Sequence, residues 1–441
     1  MEINNLILKD YPCLHSEILR FADRIKVKAL RTMFVNCSLN TLTTTVRATG
    51  SDIYLITGDI DAMWLRDSSA QVLQYLEISP KTSDVQGLIK GLLKRQFRCI
   101  LSDAYANAFN VEENGNGHNE DECGERNPLV FERKFELDSL CYPLFLAERY
   151  YGYTNDETVF DDTYFKVSER ILQVFETEQD HHKNSPYYHY RPTETPEFSV
   201  PGRGKGGPCA VTGLVWSGYR PSDDPCEYGY FIPGNAFVAV VMRGLNKTAL
   251  KFNKSSIAER AAKLAKAVED GIAKYGIVDH PKYGRIYAYE TDGLGNYNLM
   301  DDANVPSLLG LPYIGWCTED DEVYKNTRRF VLSKDNPYYH SGSVISGTGS
   351  PHTPGKYVWP ISLMIEGITT DDGKRINDIV ETLMQTTGGT GYMHESINAD
   401  NAADYSRPWF AWANSLFAYF IIKKADKISY IKRTIQMEEK R

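Results

Sequence analysis

Seven short segments spread along the chain combine carboxylates, arginine, amides and aromatic rings. The densest is 57–71, TGDIDAMWLRDSSAQ. This mixture is poor material for a hydrophobic core, but it suits a sugar-binding pocket, because forked polar groups hold hydroxyls and flat rings pack on C–H faces. The other segments are 103–110, 131–138, 216–224, 300–306, 389–395 and 405–409. Their spread predicts a single pocket assembled from loops.

Paired carboxylates are the first candidate chemistry. Hydrolysis of a glycosidic bond needs one acid that protonates the leaving oxygen and a second carboxylate that acts on water or on carbon. Asp223, Asp224 and Glu395 are the strongest candidates, since each lies among aromatic residues and glycines rather than lysines. Most of the 58 acidic residues are expected to be solvated surface charges.

Other chemistries have weaker signals. The nine histidines form neither a His-x-x-x-His nor a His-Glu-x-x-His pattern, and Asp301 and Asp302 lack the spacing of an EF-hand. We therefore expect no required metal, and we interpret His352 and His394 as hydrogen-bonding groups. The sequence also lacks a Gly-x-Ser-x-Gly elbow and a Gly-Lys-Ser/Thr phosphate loop. No cofactor is expected.

Composition narrows the class of protein. A net charge of −9 over 441 residues argues against nucleic-acid and anionic membrane surfaces as partners. The N-terminus shows no secretory signal, and the longest apolar run, 409–422, is too short to span a bilayer. The eight cysteines are scattered without a Cys-x-x-Cys pair, which is typical of free thiols in a reducing compartment. We expect a cytoplasmic protein, and the sequence leaves its oligomeric state open.

The elements that position these segments are predicted to be mostly helices. A capping-box spacing at 256–259 precedes an apolar stripe that ends near Gly276. Similar stripes lie in 85–99, 167–174 and 376–383, and 410–422 is apolar nearly all round, which indicates a buried helix. Short strands are expected only at 51–57 and 285–290.

The longest polar connection, 181–213, contains PGRGKGGP at 201–208. It is either a linker between domains or a long functional loop. We favour the loop, because the motif segments lie on both sides of it. Many helices with chemistry in their connections suggest a helical toroid, and we interpret residues 1–441 as a single catalytic domain.

Taken together, the motif segments resemble glycoside hydrolase family 125, the exo-acting α-1,6-mannosidases. The resemblance spans about residues 30–422. It is carried by TGDI at 57–60, AMWLRDS at 62–68, YANAFN at 105–110, DSLCYP at 138–143, WSGYRPSDD at 216–224, DDANVPS at 301–307 and GGTGYMHES at 388–396. Asp61 and Ser69 depart from residues common in the family, and the loop 191–207 looks individual, which puts the preference beyond the terminal sugar in doubt.

The resemblance implies an all-α (α/α)6 barrel with short β elements in its loops and a pocket at one end. It also implies metal-independent hydrolysis with inversion, with Asp223 as the general acid and Glu395 as the general base. The expected partner is a mannose-containing oligosaccharide, and the expected process is N-glycan degradation. Burial beside Trp216 and a second carboxylate are expected to raise the pKa of Asp223, so that it holds a proton.

Nine further residues are predicted to bind the substrate. Arg66 and Asp67 are the first choice for holding hydroxyls of the terminal mannose, and Trp64 and Trp359 are candidate walls. The full set is Trp64, Arg66, Asp67, Asn107, Asp138, Asn304, His352, Trp359 and His394.

Two alternatives stay open at this point. The chain could be a non-catalytic carbohydrate-binding protein that kept the pocket, although the presence of both Asp223 and Glu395 counts against this. It could also be a toroid glycosidase with another sugar specificity.

Overall fold

Helices dominate the computed structural model, which describes residues 7–192 and 199–432. In chain order the described helices are α1 (Pro12–Ala22), α2 (Lys28–Asn40), α3 (Leu65–Ile78), α4 (Ser83–Ser102), α5 (Leu137–Thr154), α6 (Asp162–Glu178), α7 (His181–Asn184), α8 (Pro201–Gly204), α9 (Ile232–Lys251), α10 (Ser255–Tyr275), α11 (Glu322–Val331), α12 (Pro360–Ile368), α13 (Gly373–Gln385) and α14 (Ala411–Lys423). Short 3₁₀ turns occupy Ile7–Asp10 and Glu157–Val159, and a π-helical turn occupies Thr41–Thr45.

The helices alternate along the chain between an outer and an inner layer. The outer helices α2, α4, α6, α10, α11 and α13 bury one face and expose the other. The inner helices α3, α5, α9, α12 and α14 are buried over most of their length. A run of turns at 308–317 fills the sixth inner position, between α10 and α11 in the chain. The (α/α)6 toroid expected from the sequence is confirmed, with one inner helix replaced by turns.

All the described strands are short and antiparallel, and they lie in the connections. They are β1 (Val46–Thr49), β2 (Asp52–Leu55), β3 (Met63–Trp64), β4 (Ala108–Phe109), β5 (Val130–Glu132), β6 (Tyr230–Phe231), β7 (Ile277–His280), β8 (Gly284–Tyr287), β9 (Glu290–Thr291), β10 (Tyr297–Asn298), β11 (Tyr339–Ser341), β12 (Ser346–Thr348), β13 (Tyr357–Val358), β14 (Ile397–Asn398) and β15 (Asn401–Tyr405). They form the sheets β1–β2, β3–β4–β5, β6–β9–β10, β7–β8, β11–β12 and β13–β14–β15.

Four inner helices begin at the same end of the toroid. Trp64 and Trp359 directly precede α3 and α12, Trp412 lies in the first turn of α14, and these three rings line one pocket. Asp138, in the first turn of α5, contacts Arg66 of α3. Helix N-termini carry partial positive charge and unpaired N–H groups. This end of the toroid therefore suits an unusual number of carboxylates.

The helix stripes predicted from the sequence are confirmed as α4, α6, α10, α13 and α14. The predicted capping box is wrong. Helix α10 begins at Ser255, so Ser256 lies inside its first turn, and the N-cap residue Lys254 makes no side-chain cap hydrogen bond. The predicted stop is confirmed, since Gly276 directly follows the last helical residue and its N–H bonds to the carbonyl of Ile272.

The predicted strands 51–57 and 285–290 correspond to β2 and to β8 with the start of β9. The long connection 181–213 contains the single-turn segments α7 and α8, and its residues 193–198 lie outside the described part of the chain. All eight cysteines, each in a described segment, are free thiols. Within 7–192 and 199–432, no helix is both long and apolar enough to cross a membrane.

Candidate active site

A narrow pocket lies at the end of the toroid where the inner helices begin. Aromatic rings form much of its wall, and three carboxyl groups and two arginines from distant parts of the sequence face it. Its lining consists of Thr57, Ile60, Trp64, Arg66, Asp67, Pro221, Ser222, Asp223, Asn304, His352, Trp359, Glu395, Arg407, Phe410 and Trp412.

Asp223 is presented by a tight loop that precedes α9. The N–H of Asp223 bonds to the carbonyl of Arg220 at 3.0 Å, and the N–H of Arg220 bonds back to the carbonyl of Asp224 at 2.8 Å. This turn holds Asp223 at φ = 66°, a left-handed conformation that is unusual for a non-glycine residue. Lys134 Nζ donates to the carbonyl of Asp223 at 2.8 Å. These hydrogen bonds therefore stabilise the unusual backbone conformation of Asp223, and such conformations are typical of functional loops.

The charge around Asp223 differs from the sequence-based expectation. Burial alone would raise the pKa of Asp223, but Arg66, Lys134 and a hydrogen bond with Glu136 outweigh it and hold the pKa below its usual range. Trp216, expected beside Asp223, instead stacks on His181 with ring centroids 3.6 Å apart. The predicted rise in the pKa of Asp223 is therefore wrong, because cations and hydrogen bonds, not an apolar wall, surround the carboxylate.

Arg66 lies at the centre of a cluster of four carboxyl groups. Its Nη1 contacts Glu136 Oε2 at 2.7 Å and Asp138 Oδ2 at 3.1 Å. Its Nε lies 3.4 Å from Asp67 Oδ2, and its Nη2 lies 3.4 Å from Asp223 Oδ1. The Arg66 side chain is only 3% exposed, so these contacts form in a medium that screens charge poorly.

The acids of this cluster differ in their affinity for protons. Burial raises the pKa of Glu136 well above its ordinary value, and the carboxyls of Asp223 and Asp138 raise it further against the opposing effect of Arg66. Burial also raises the pKa of Asp138, and it raises that of Asp67 to about 6. Asp223 therefore lies beside three acids, Glu136, Asp138 and Asp67, that hold protons more tightly than they would in water. Asp223 itself holds its proton more weakly than it would in water.

Glu395 is held on the opposite loop, between α13 and α14. Ser406 Oγ donates to its Oε2 at 2.8 Å, and Arg407 Nη1 lies 3.4 Å from its Oε1. Arg407 also pairs with Asp59 and lies over the ring of Phe410, 4.6 Å from its centroid. Arg407, like Asp223, has a positive φ, of 42°. Glu395 is thus fixed in orientation, with only 6% of its side chain exposed.

A backbone clasp joins the start of α3 to the start of α14. The N–H of Asp59 bonds to the carbonyl of Trp409 at 3.3 Å, and the N–H of Ala411 bonds to the carbonyl of Thr57 at 3.0 Å. Gly58 lies between these bonds at φ = 143°, where a Cβ would lie 2.4 Å from the carbonyl oxygen of Trp409. Glycine is required there, because the two backbones approach too closely for a side chain.

His352 links a third loop to the site. Its Nδ1 lies 3.4 Å from Asp224 Oδ1. Burial opposes the charged imidazolium, but the hydrogen bond to Asp224 and the nearby charges of Asp223 and Glu395 raise the pKa of His352 to about 9. The site therefore carries an additional positive charge at neutral pH.

The structure brings most of the predicted site residues together. The two candidate catalytic residues and six of the candidate substrate-binding residues line the pocket: Asp223, Glu395, Trp64, Arg66, Asp67, Asn304, His352 and Trp359. Asn107 and Asp138 are fully buried behind the lining, where Asn107 Nδ2 donates to Glu132 at 3.0 Å and Asp138 pairs with Arg66.

His394 does not lie in the pocket lining, contrary to its predicted role in substrate binding. Its ring is buried and stacks on Tyr405 with centroids 3.7 Å apart. Its Nε2 lies 3.0 Å from the carbonyl of Thr387, and its Nδ1 lies 3.4 Å from the carbonyl of Arg407. We correct its role to that of a support for the loop that holds Glu395.

Sequence reasoning assigned no role to Arg407, Trp412, Glu136 or Lys134. Three of the four lie in segments with a visible signal. Arg407 belongs to the dense segment 405–409, and Glu136 and Lys134 belong to 131–138. Trp412 lies inside the apolar run 409–422, whose composition indicates only a buried helix. Its ring lies 5.7 Å from the guanidinium of Arg66.

The acid pair considered for a metal has a structural role. Asp301 Oδ1 and Oδ2 accept the backbone N–H groups of Leu308 and Leu309 at 2.8 and 3.0 Å, at the start of the turns that fill the sixth inner position. Asp302 Oδ1 accepts Asn304 Nδ2 at 2.9 Å and so orients a pocket residue. Among the residues the structure describes, no group of three His, Cys, Asp or Glu side chains is arranged to hold a metal ion.

Comparison with protein families gives one match over most of the chain. Residues 27–422 match the model of the metal-independent alpha-mannosidases (GH125). A curated relative is the meiotically up-regulated gene 157 protein of Schizosaccharomyces pombe. It is 40% identical over 422 residues, which cover 91% of this chain and 83% of the relative.

Solved structures agree with this match. A Streptococcus pneumoniae structure described as one of a family of metal-independent alpha mannosidases, in a non-productive complex with alpha-1,6-mannobiose, is 42% identical. It has a TM-score of 0.90 and covers 97% of this chain and 100% of its own. A more distant glycosidase, 12% identical with a TM-score of 0.56, covers 93% of this chain and 98% of its own, and supports the fold alone.

Proposed function

Because the chain belongs to the family of metal-independent alpha-mannosidases (GH125), we propose that it is an exo-acting α-1,6-mannosidase. It removes the mannose at the non-reducing end of a mannose-containing oligosaccharide, with inversion at the anomeric carbon. The linkage rests on the 42% identical relative that was solved with alpha-1,6-mannobiose.

The observation that carries the proposal is the placement of Asp223 and Glu395 on separate loops facing one pocket. In the proposed reaction Asp223 gives a proton to the departing glycosidic oxygen. Glu395 takes a proton from a water molecule, whose oxygen forms the new bond to the anomeric carbon. Inverting enzymes use two carboxyls about 6.5–9.5 Å apart, which leaves room for this water.

The lining fits a single terminal sugar. Arg66 and Asp67 present a forked donor and a carboxylate from the first turn of α3, and Trp64, Trp359 and Trp412 provide flat apolar surfaces. Such a combination holds hydroxyls and C–H faces at once. The buried Arg66 cluster closes the floor, which supports removal of a terminal residue over cleavage within a chain.

The decisive experiment is hydrolysis of α-1,6-mannobiose followed by proton NMR from the first minutes. We expect free mannose, with the β-anomer appearing first from the α-linked substrate. If the α-anomer appears first, Glu395 acts as a nucleophile and its assigned role is wrong. A protein that binds mannobiose without releasing mannose would favour a non-catalytic carbohydrate-binding function. A panel of aryl glycosides distinguishes mannose from other sugars in the terminal position.

A further inference from the structure

Four carboxyl groups surround the single positive charge of Arg66, which is too little to stabilise all four in the ionised form. Asp67, Glu136 and Asp138 are 6%, 0% and 0% exposed, and Asp223 is 24% exposed. They converge on a single guanidinium, whose Nε lacks a hydrogen-bond partner in the part of the chain that the structure describes. Like charges this close and this buried cannot all form, so at least one carboxyl must hold a proton.

Glu136 and Asp223 are the pair placed to share that proton. Both accept from the same amide, since Asn107 Nδ2 lies 3.4 Å from Glu136 Oε1 and 3.4 Å from Asp223 Oδ1. Arg66 brings the two carboxyls together as well, since its Nη1 lies 2.7 Å from Glu136 Oε2 and its Nη2 lies 3.4 Å from Asp223 Oδ1. Ser139 Oγ and Arg66 Nη1 hold Glu136 Oε2 at 2.8 and 2.7 Å. Glu136 is thereby fixed with its other oxygen toward Asp223.

We propose that Glu136 holds the catalytic proton in the resting enzyme and passes it to Asp223 as the glycosidic bond breaks. Glu136 is then a positioning residue for the proton, because it acts through Asp223 and does not line the pocket. The inference rests on the proposed function and adds a residue to its acid step.

The proton transfers balance. The bond between the anomeric carbon and the glycosidic oxygen breaks, and its electron pair goes to that oxygen. Asp223 takes up the proton of Glu136 and, now a neutral carboxylic acid, gives that proton to this oxygen. The attacking water forms the new carbon–oxygen bond and gives one proton to Glu395. At the end Glu136 is ionised and Glu395 is protonated, and exchange with solvent restores both.

The surroundings explain why the proton rests on Glu136. The charged and titratable groups around this pair are Arg66 and Asp67 of α3, Asp138 of α5, Glu132 of β5, Lys134 between β5 and α5, His352, and Glu395 in the same pocket. The cations among them stabilise an ionised Asp223, and burial favours a neutral Glu136. The pKa of Asp223 is accordingly lowered, and that of Glu136 is raised.

The test is Glu136→Gln, assayed on two substrates over a range of pH. Glutamine keeps the shape, but it cannot give up a proton, and its amide N–H stabilises an ionised Asp223. We expect kcat/KM on α-1,6-mannobiose at neutral pH to fall about 10–100-fold, with its alkaline limb moved to lower pH. Activity on α-mannosyl fluoride, whose leaving group needs little protonation, should change far less.

A matched control is Asp138→Asn, which removes a carboxyl from the same guanidinium at a similar distance. Losses in this variant should be equal on the two substrates, since Asp138 holds Arg66 and passes no proton. A second variant, Glu136→Asp, keeps a titratable group. Its alkaline limb should lie closer to that of the wild type than to that of Glu136→Gln, whatever its rate.

Three results would overturn the proposal. They are equal losses on both substrates in Glu136→Gln, an unchanged alkaline limb with only a higher KM, or a substrate ratio changed as much by Asp138→Asn. Each would mean that Glu136 merely holds Arg66. If Glu136→Gln does not fold, Glu136→Asp decides by the substrate comparison, since equal losses on mannobiose and on the fluoride would overturn the proposal. Failure of the proposed function is separate, because it appears as absent mannose release by the wild type.

Discussion

Replacement of Arg66 by methionine should test how the carboxyl cluster is stabilised. Methionine keeps a long apolar side chain but removes the positive charge. Asp138, fully buried at 3.1 Å from Nη1, then loses its ion-pair partner, and Glu136, at 2.7 Å from Nη1, loses a hydrogen-bond donor. Removing one partner of a buried ion pair typically costs about 3–5 kcal/mol of folding free energy.

Protonation sets a second measure of the cost. A carboxylate without its partner can take up a proton instead of staying charged, which costs about 1.4 kcal/mol for each pH unit above its ordinary pKa of ~3.9. For one carboxylate this gives ~4 kcal/mol at pH 7 and ~1.5 kcal/mol at pH 5. In the variant the folded-state pKa of this carboxyl group is raised. Its contribution to the free energy of unfolding is therefore fully present below the unfolded-state pKa and is lost as pH rises. The destabilisation by Arg66→Met should therefore grow between pH 5 and pH 7.

The measurement is urea unfolding of both proteins, followed by tryptophan fluorescence at several pH values. Arg260→Met is a matched control, because Arg260 makes a two-bond ion pair with Glu176 that is 33% and 39% exposed. Exposed pairs contribute about 0–1 kcal/mol, so this control should lose little stability. A penalty for Arg66→Met that is the same at pH 5 and pH 7, or no larger than that of the control, would refute the reasoning.

Three further predictions concern chemistry and pH. Asp223→Asn should lose about 10²–10⁴ in rate on α-1,6-mannobiose but much less on α-mannosyl fluoride, whereas Glu395→Gln should lose activity on both; equal losses of Asp223→Asn on the two substrates would make Asp224 the next candidate acid. Activity should survive prolonged treatment with EDTA, and a loss that calcium or zinc restores would contradict metal independence. Because the pKa of His352 is raised to about 9, its stabilising effect should be complete below its ordinary pKa of ~6.5 and vanish as pH rises through about 9; the Tm difference between wild type and His352→Gln should shrink over that range, and a constant difference would contradict the ion pair.

The sequence predicted the helices best where apolar spacing alone determines burial. The stripe after Ser83 and the apolar run 410–422 correspond to α4 and α14, because a 3.6-residue period, or apolarity all round, admits few other structures. It failed where long-range packing decides. The turns at 308–317 replace an inner helix, and their acid anchor Asp301 lies upstream of them in a motif that also resembles a metal site.

For the candidate site, too, the sequence predicted local features better than those that depend on long-range packing. The sequence identified residue types that suit sugars, and most of them meet in one pocket. It could not tell which members of a motif face inward. His394, which was assigned to the sugar, is buried outside the pocket lining, whereas Arg407, on the same loop, lines the pocket. It also could not predict the charge on Asp223, because that depends on Arg66 and Lys134, which are distant in sequence from residue 223.

The clasp at Gly58 has a consequence for biosynthesis. It joins two parts of the chain that are far apart in sequence. The ion pair beside it, between Asp59 and Arg407, spans 348 positions. Contacts of such long range form late, because the loop between them must first be closed. A ribosome-bound chain can therefore fold its early helices while its pocket still lacks one wall. Glycan cleavage should begin only after translation has passed Trp412, so that no incomplete chain acts on sugars.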